Sequence, residues 1–228
     1  MSLLKRVRRC ILINDKKTKV LHIIEALKKK YPDSLCSLES TTPFELLIAT
    51  RLSAQCTDKR VNEITPALFK RYKTLDDYAN ADIKEVEKLV HSCGFYRTKA
   101  RDIVNMAVML RDEYDGVLPD TIEELIKLPG VGRKTANIIV GDVFNKPAVV
   151  CDTHVIRITN RIGLVNTKVP EKVETALRKI LPPEESSDFC HRMVFFGRDT
   201  CTARKAHCDI CEIAEYCNYK KANEYENN

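Results

Sequence analysis

Apolar residues recur along most of the chain at the three- and four-residue spacing of amphipathic helices. The segment 44–53 is apolar on nearly every side, and with Pro43 in its first turn it predicts a buried helix. The low glycine count of 7 and the abundance of Lys, Glu, Leu, Ile and Ala agree with a largely helical chain. The other predicted helices span 17–30, 58–72, 82–90, 99–114 and 155–162, with two more after Pro170 and from Ser187.

Residues 121–143 follow the pattern of helix, glycine hairpin, helix. Thr121 and Glu124 have the spacing of a capping box, which predicts the start of a short helix. Pro129 and Gly130 end that helix, and Gly132 is expected to allow a second unusual backbone angle. The next helix begins directly afterwards, with apolar residues repeating along one face.

A hairpin of this kind is able to bind phosphate. Glycines let another backbone approach, and the first amides of the second helix have no partner within it. Lys134 lies in the first turn of that helix, where the helix dipole disfavours a positive charge and so favours the neutral, nucleophilic amine. A plain corner between two helices, with a solvated lysine, explains the hairpin equally well.

The turn at 93–100 resembles the hairpin, because both contain Gly-x-x-Arg followed by Thr, Lys and Ala. Lys99 is therefore the alternative to Lys134, although its turn lacks a second glycine. Beside Gly94, Phe95 is expected to be a core anchor, with an exposed wedge as the alternative. Gln55 is expected to be a buried hydrogen-bonding residue rather than a tip that contacts a ligand.

The composition limits where the protein can be located and which partners it can bind. The 228 residues carry a net charge of +6 and a pI near 8.7, which is compatible with nucleic-acid binding. No apolar run reaches the ~18 residues that cross a membrane. The basic N-terminus is not followed by the apolar segment of a secretion signal. We therefore expect a soluble intracellular protein with no membrane partner.

Four of the ten cysteines lie in one short segment near the C-terminus, at the spacing C-x6-C-x2-C-x5-C. Because an intracellular protein rarely carries a disulfide framework, a metal centre is the better interpretation. Zinc sites usually contain two close cysteine pairs, but here only the middle pair is close, which favours a [4Fe-4S] cluster over zinc. The loop between the first two cysteines carries Arg204 and Lys205, which either contact phosphates or are merely solvated. The four cysteines are Cys201, Cys208, Cys211 and Cys217.

With these features the chain resembles the endonuclease III-type DNA glycosylase/AP lyases of the helix-hairpin-helix superfamily. The resemblance extends from about residue 17 to residue 217. It rests on the segments 46–49 and 53–55, the hairpin 128–136, the residues 152–154 and the cysteine spacing.

The resemblance implies an all-α, two-lobed helix-hairpin-helix DNA glycosylase fold with a C-terminal [4Fe-4S] cluster loop. A six-helix domain, 36–146, would contain the hairpin. Residues 1–35 and 147–228 would together form the cluster domain, with a DNA cleft between the lobes.

The implied activity is that of a bifunctional enzyme of base excision repair. It would act as a monomer on double-stranded DNA, remove damaged bases, with oxidised pyrimidines as the expected class, and nick the strand 3′ to the abasic site by β-elimination. By match to the family motif, Lys134 is the nucleophile and Asp152 the essential carboxylate, although Asp152 is also a good N-cap. The expected DNA contacts are Gln55, Phe95, Gly130, Val131, Gly132, Arg133, His154, Arg204 and Lys205.

The chain departs from the family pattern at two positions, and three other functions compete with this interpretation. Phe196 stands where relatives often have histidine, and Cys56 where a smaller residue is common. A monofunctional glycosylase would carry another residue at Lys134, and a non-catalytic DNA-binding module would need neither Lys134 nor Asp152. A zinc protein is the third rival.

Overall fold

The computed structural model describes residues 16–33 and 36–226, with side chains up to residue 222. The described residues form helices and no β-strand; one isolated antiparallel bridge joins Cys201 and Ala206. The prediction of an all-α fold is therefore confirmed. The α-helices are α1 (Lys16–Lys30), α2 (Pro43–Ser53), α3 (Asp58–Arg71), α4 (Leu75–Ala79), α5 (Ile83–Leu89), α6 (Tyr96–Glu113), α7 (Ile122–Leu125), α8 (Arg133–Asp142), α9 (Thr153–Ile162), α10 (Pro170–Arg178), α11 (Ser186–Asp199) and α12 (Asn218–Glu226).

The chain divides into two compact units. One is Cys36–Lys146, with helices α2 to α8. The other combines Met1–Leu35 with Pro147–Asn228, and its described part contains α1 and α9 to α12. No helix among the described residues is long and apolar enough to span a membrane.

Helix α2 is the centre of the unit Cys36–Lys146. It packs against α3, α6 and α8, and its side chains Leu47, Ile48 and Leu52 are fully buried, as the apolar pattern predicts. Thr42 caps the helix in a complete capping box with Glu45, so that the buried helix begins with satisfied backbone amides.

The second unit is built around α1, α9 and α11. Helix α11 packs against both α1 and α9, and α1 presents the apolar face that its periodicity predicts. Lys19 lies on the same helix with its Nζ donating to the carbonyl of Ile162, 2.6 Å away, at the end of α9. The buried apolar residues of α1 are Val20, Ile23, Ile24 and Leu27.

The helices of the structure differ from the prediction in three details. Helix α4 was not predicted, because its five residues are too few to display periodicity; a capping box of Thr74 and Asp77 stabilises it instead. Helix α6 begins at Tyr96, three residues before the predicted start. The predicted capping box of Thr121 and Glu124 is only half formed. Thr121 Oγ1 accepts from the Glu124 amide, but the Glu124 carboxylate accepts hydrogen bonds from Tyr114 and Lys127.

Candidate active site and nucleic-acid interface

Gly130 is required where the hairpin turns. Its φ of +75° lies in the left-handed region, which side chains with a Cβ rarely adopt. A Cβ on Gly130 would lie 2.4 Å from Arg51 Nε and 2.6 Å from Asp102 Oδ2. These two residues form an ion pair, with Asp102 Oδ2 2.9 Å from Arg51 Nε and 2.6 Å from Nη2. The turn therefore rests on a largely buried ion pair between α2 and α6, which the sequence did not indicate.

Gly132 is open rather than strained. Its φ of −94° and ψ of 171° are extended backbone, so the predicted second unusual angle is wrong. A Cβ there would meet no atom within 4 Å. Gly132 is the N-cap of α8 and provides no side-chain cap for it. Gly132, Arg133 and Lys134 are all exposed, whereas the Val131 side chain is buried and is not available to a ligand.

The two lysines with similar surrounding sequences occupy opposite environments. Lys134 is exposed in the first turn of α8. Lys99 is 1% exposed, and its Nζ donates to the Leu52 carbonyl at 2.8 Å. Burial lowers the pKa of Lys99 from its usual value of 10.5. Lys99 is thus a core residue that no DNA substrate reaches, and Lys134 is the accessible amine of the pair.

Gln55 and Phe95 are both exposed on neighbouring turns, and the expectation that they are buried is wrong. Each has a positive φ, 55° for Gln55 and 59° for Phe95, and Phe95 is 68% exposed. A Cβ on Gly94 would lie 3.7 Å from the Gln55 carbonyl oxygen, so the two turns are adjacent. Positive φ is uncommon for residues other than glycine and recurs at functional sites. This conformation directs both side chains away from the core.

Asp152 caps α9. Its Oδ1 accepts a hydrogen bond from the Val155 amide at 2.7 Å, and the residue remains partly exposed. His154, in the first turn, packs against α11, since a Cβ on Gly197 would lie 2.4 Å from its Nδ1. Burial lowers the pKa of His154; the Asp152 carboxylate opposes this shift, and the nearby Arg157 and Arg198 reinforce it. This end of α9 therefore presents a carboxylate beside an imidazole that favours its neutral form.

The four clustered cysteines line one pocket. Arg161 reaches into it, with Nη1 3.3 Å from Cys201 Sγ and 2.8 Å from the Thr202 carbonyl. Burial raises the pKa of Cys211 to about 11, and the other three thiols act in the same direction. Among the described residues, no group of three or more His, Cys, Asp or Glu side chains converges as a site for a metal ion. The four thiols therefore lie around one pocket and interact with one another.

The loop between Cys201 and Cys208 is ordered by its own contacts. Thr202 Oγ1 donates to the Lys205 carbonyl at 2.6 Å and accepts from the Lys205 amide at 3.0 Å. The bridge of Cys201 with Ala206 closes the loop. Arg204 and Lys205 are both exposed on it, so two positive charges stand on a preformed turn.

Comparison with known proteins identifies the architecture. A model of the HhH-GPD superfamily base excision DNA repair proteins matches residues 48–183. The chain belongs to this superfamily. Endonuclease III of Synechocystis sp. is 44% identical over 203 residues, which cover 89% of this chain and 93% of the relative. Endonuclease III of Escherichia coli K12 is 37% identical over 205 residues, 90% of this chain and 97% of the relative.

Solved structures agree with this placement. A trapped endonuclease III–DNA covalent intermediate is 44% identical, with a TM-score of 0.85 over 91% of this chain and 98% of the other. A thermostable thymine-DNA glycosylase, 24% identical with a TM-score of 0.80, shares the fold. The endonuclease III resemblance is thereby confirmed. This member of the HhH-GPD superfamily is a base excision repair DNA glycosylase with AP lyase activity that acts on damaged bases.

Proposed function

We propose that Lys134 is the nucleophile of this glycosylase/AP lyase and that its substrates are oxidised pyrimidines and abasic sites in double-stranded DNA. The observation that supports this assignment is the contrast between the two lysines. Lys134 is exposed beside the open N-terminus of α8, whereas Lys99 is enclosed in the core. One relative has been captured as a covalent endonuclease III–DNA intermediate, which fits a nucleophile on the protein.

The chemistry begins with displacement of the base. The damaged nucleotide leaves the stack at a cost of a few kcal/mol, which is smallest at damaged pairs. The neutral amine of Lys134 attacks the anomeric carbon of the sugar, and the base departs with the bonding electrons. Asp152 stabilises the cationic character of the sugar and assists the proton transfers. The partial exposure of Asp152 is compatible with this role, and its second task as an N-cap holds the carboxylate in place.

The lyase step follows from the covalent link. Loss of the base lets the Lys134 nitrogen form an imine with the opened sugar, and the imine acidifies the neighbouring carbon. Removal of a proton from that carbon expels the 3′ phosphate, which nicks the strand 3′ to the lesion. Hydrolysis of the imine then releases Lys134.

We assign DNA contacts to three surfaces. The backbone of the hairpin, from Gly130 to Arg133, would approach the phosphates at the exposed N-terminus of α8. Gln55 and Phe95 would enter the duplex at the lesion, because both are exposed on adjacent turns. The remaining contacts would come from His154, Arg204 and Lys205.

A [4Fe-4S] cluster fits the four cysteines better than a zinc ion does. Zinc sites usually contain two close cysteine pairs, whereas here only Cys208 and Cys211 are close in sequence and the outer two cysteines stand well away from them. The cluster would supply a rigid covalent anchor for the loop that carries Arg204 and Lys205. Arg161 would hold the same loop through its bonds to the Thr202 and Ala203 carbonyls. The unit that combines Met1–Leu35 with Pro147–Asn228 would be the cluster domain, and the protein would act as an intracellular monomer.

Borohydride trapping tests this proposal. An oligonucleotide duplex with one oxidised pyrimidine is incubated with the wild type, Lys134→Gln and Lys127→Gln in the presence of borohydride. Lys127 is the matched control, because it is an exposed lysine of the same hairpin and pairs with Glu124. We expect a covalent adduct with the wild type and Lys127→Gln only. An adduct with Lys134→Gln would reassign the amine, and base release without any adduct would indicate a monofunctional glycosylase.

A further inference from the structure

Two thiols meet beneath the turns that present Gln55 and Phe95. Cys56 follows Gln55 directly, Cys93 precedes Phe95 by two residues, and their sulfurs are 3.7 Å apart. At this distance the sulfurs are in contact but not bonded. A disulfide would bring them about 1.7 Å closer, to the usual bond length of about 2.04 Å. The contact joins the two turns at their base.

The two sulfurs differ in access. Cys56 is partly exposed and is the thiol that a small reagent can reach, whereas Cys93 is fully buried. Burial raises the pKa of Cys93 to about 11, and the adjacent Cys56 thiol acts in the same direction. The buried ammonium of Lys99 acts against this shift by favouring a thiolate at Cys93. Cys56 is thus placed to react first and Cys93 to attack second.

We propose that Cys56 and Cys93 form a thiol–disulfide exchange site for low-molecular-weight disulfides such as glutathione disulfide, and that the bond they form constrains the Gln55 and Phe95 turns. The second half of this proposal rests on the proposed role of these turns in lesion recognition. Formation of the bond does not depend on that role. Intracellular disulfides are usually transient and redox-sensing, which fits a pair on a working surface.

The exchange balances without any further reactant. The Cys56 thiolate attacks one sulfur of glutathione disulfide, forms a mixed disulfide and releases one glutathione thiolate, which takes up the proton that Cys56 lost. The Cys93 thiolate then attacks Cys56 Sγ and releases the second glutathione, which takes up the proton that Cys93 lost. Two protein thiols are oxidised to one disulfide, and one glutathione disulfide is reduced to two glutathione molecules.

The bond is expected to slow lesion processing. We expect the closing of a gap of about 1.7 Å between the sulfurs to shift the adjoining turns, and a displacement of about 1 Å near a reacting site can cost up to a hundredfold in rate. We therefore expect strand nicking at an oxidised pyrimidine to slow by about tenfold or more, and a reductant to restore it.

The test uses the intact protein as purified. The protein is treated with glutathione disulfide, free thiols are blocked by alkylation, and peptides are analysed by mass spectrometry while nicking is measured before and after reduction. Cys56→Ala removes the accessible thiol, and Cys36→Ala is the matched control because Cys36 is a partly exposed thiol of the same unit.

The proposal is supported if the wild type and Cys36→Ala both form a Cys56–Cys93 disulfide and both nick DNA more slowly until they are reduced. Cys56→Ala should show neither the disulfide nor the slower nicking. A glutathione adduct that persists on Cys56, or no reaction there, would overturn the exchange site. Linkage with unchanged nicking would overturn its coupling to the turns, and slowing that persists in Cys56→Ala would assign it to another thiol. Absence of nicking in the reduced wild type would count against the proposed function instead, since the linkage is detected independently.

Discussion

Replacing either Gly130 or Gly132 with alanine tests separately what the hairpin needs in order to fold and what it needs in order to bind DNA. The two glycines are two residues apart in the same hairpin, yet their environments are opposite. Gly130 has a φ of +75° and faces the Arg51–Asp102 pair, whereas Gly132 is extended with no atom within 4 Å of its Cβ position. Gly130→Ala should destabilise the protein, and Gly132→Ala should leave stability unchanged or slightly higher.

The loss of folding stability expected for Gly130→Ala is the sum of two contributions. Holding alanine in the left-handed region costs about 1–2 kcal/mol. The new methyl group would also displace the ion pair, whose side chains are each 14% exposed, and loss of charged hydrogen bonds costs about 1.5–3 kcal/mol. The total of about 2.5–5 kcal/mol corresponds to a fall in melting temperature of roughly 5–20 °C for a chain of this size.

Thermal unfolding and lesion binding together provide the assay. Differential scanning calorimetry compares the two variants with the wild type, and a fluorescence titration measures their affinity for abasic-site DNA. Gly132→Ala should melt like the wild type but bind DNA less tightly, since its methyl group would obstruct the approach of the DNA backbone that we propose for this hairpin. In a double-mutant cycle, Gly130→Ala should reduce the free energy of unfolding less in the Asp102→Ala background than in the wild type. Equal melting temperatures for both glycine variants, or a cycle without coupling, would refute this account.

Four further measurements address the site and the loop. Asp152→Asn should cripple turnover with little change in melting temperature, because asparagine also caps a helix; near-normal turnover would leave Asp152 as a cap alone. Phe95→Ala should weaken binding to lesion DNA without affecting the free energy of unfolding, since Phe95 is 68% exposed; unchanged binding would remove it from the interface. Because burial lowers the pKa of Lys99 below 10.5, the unfolded state binds this proton more tightly. The free energy of unfolding in urea, measured for the wild type and for Lys99→Met, should therefore differ by an amount that shifts in favour of the wild type as the pH rises towards 10.5. A difference that does not change with pH would contradict this. Replacing both Arg204 and Lys205 with alanine should reduce the slope of log affinity against log salt by about 1.8; an unchanged slope would exclude the loop from the interface.

The long helices were predictable because burial of one face imposes a period on the sequence. Helix α1 shows this directly, since its buried apolar residues recur at three- and four-residue intervals along one face: Val20, Ile23, Ile24 and Leu27. Helix α4 has only five residues, and caps rather than periodicity define it. The hairpin was visible through its glycines, but the support beneath it was not. Arg51 and Asp102 are 51 residues apart, and only the packing of α2 against α6 brings them together.

Burial of individual side chains was the least predictable feature, because residue type suggests the wrong answer at two positions. Phenylalanine is usually buried and lysine usually exposed, but Phe95 is exposed and Lys99 is buried. Gln55 and Phe95 are exposed because each occupies a positive-φ position just outside a helix end. No local pattern in the sequence indicates that conformation for residues other than glycine.

Lys99 and Lys134 have similar local sequences but different surroundings, because Lys99 contacts the C-terminal end of one helix and Lys134 lies at the N-terminal end of another. The last carbonyls of a helix lack partners within it, and the Leu52 carbonyl near the end of α2 accepts a hydrogen bond from Lys99. A positive charge is favoured at that end, so the ammonium is held there even though burial opposes it. Lys134 lies at the start of α8, where exposed amides attract an anion and disfavour a cation. The buried lysine thus serves the fold as a C-terminal cap, while the exposed lysine stands at a helix start that favours an anion, as its proposed role as the nucleophile requires.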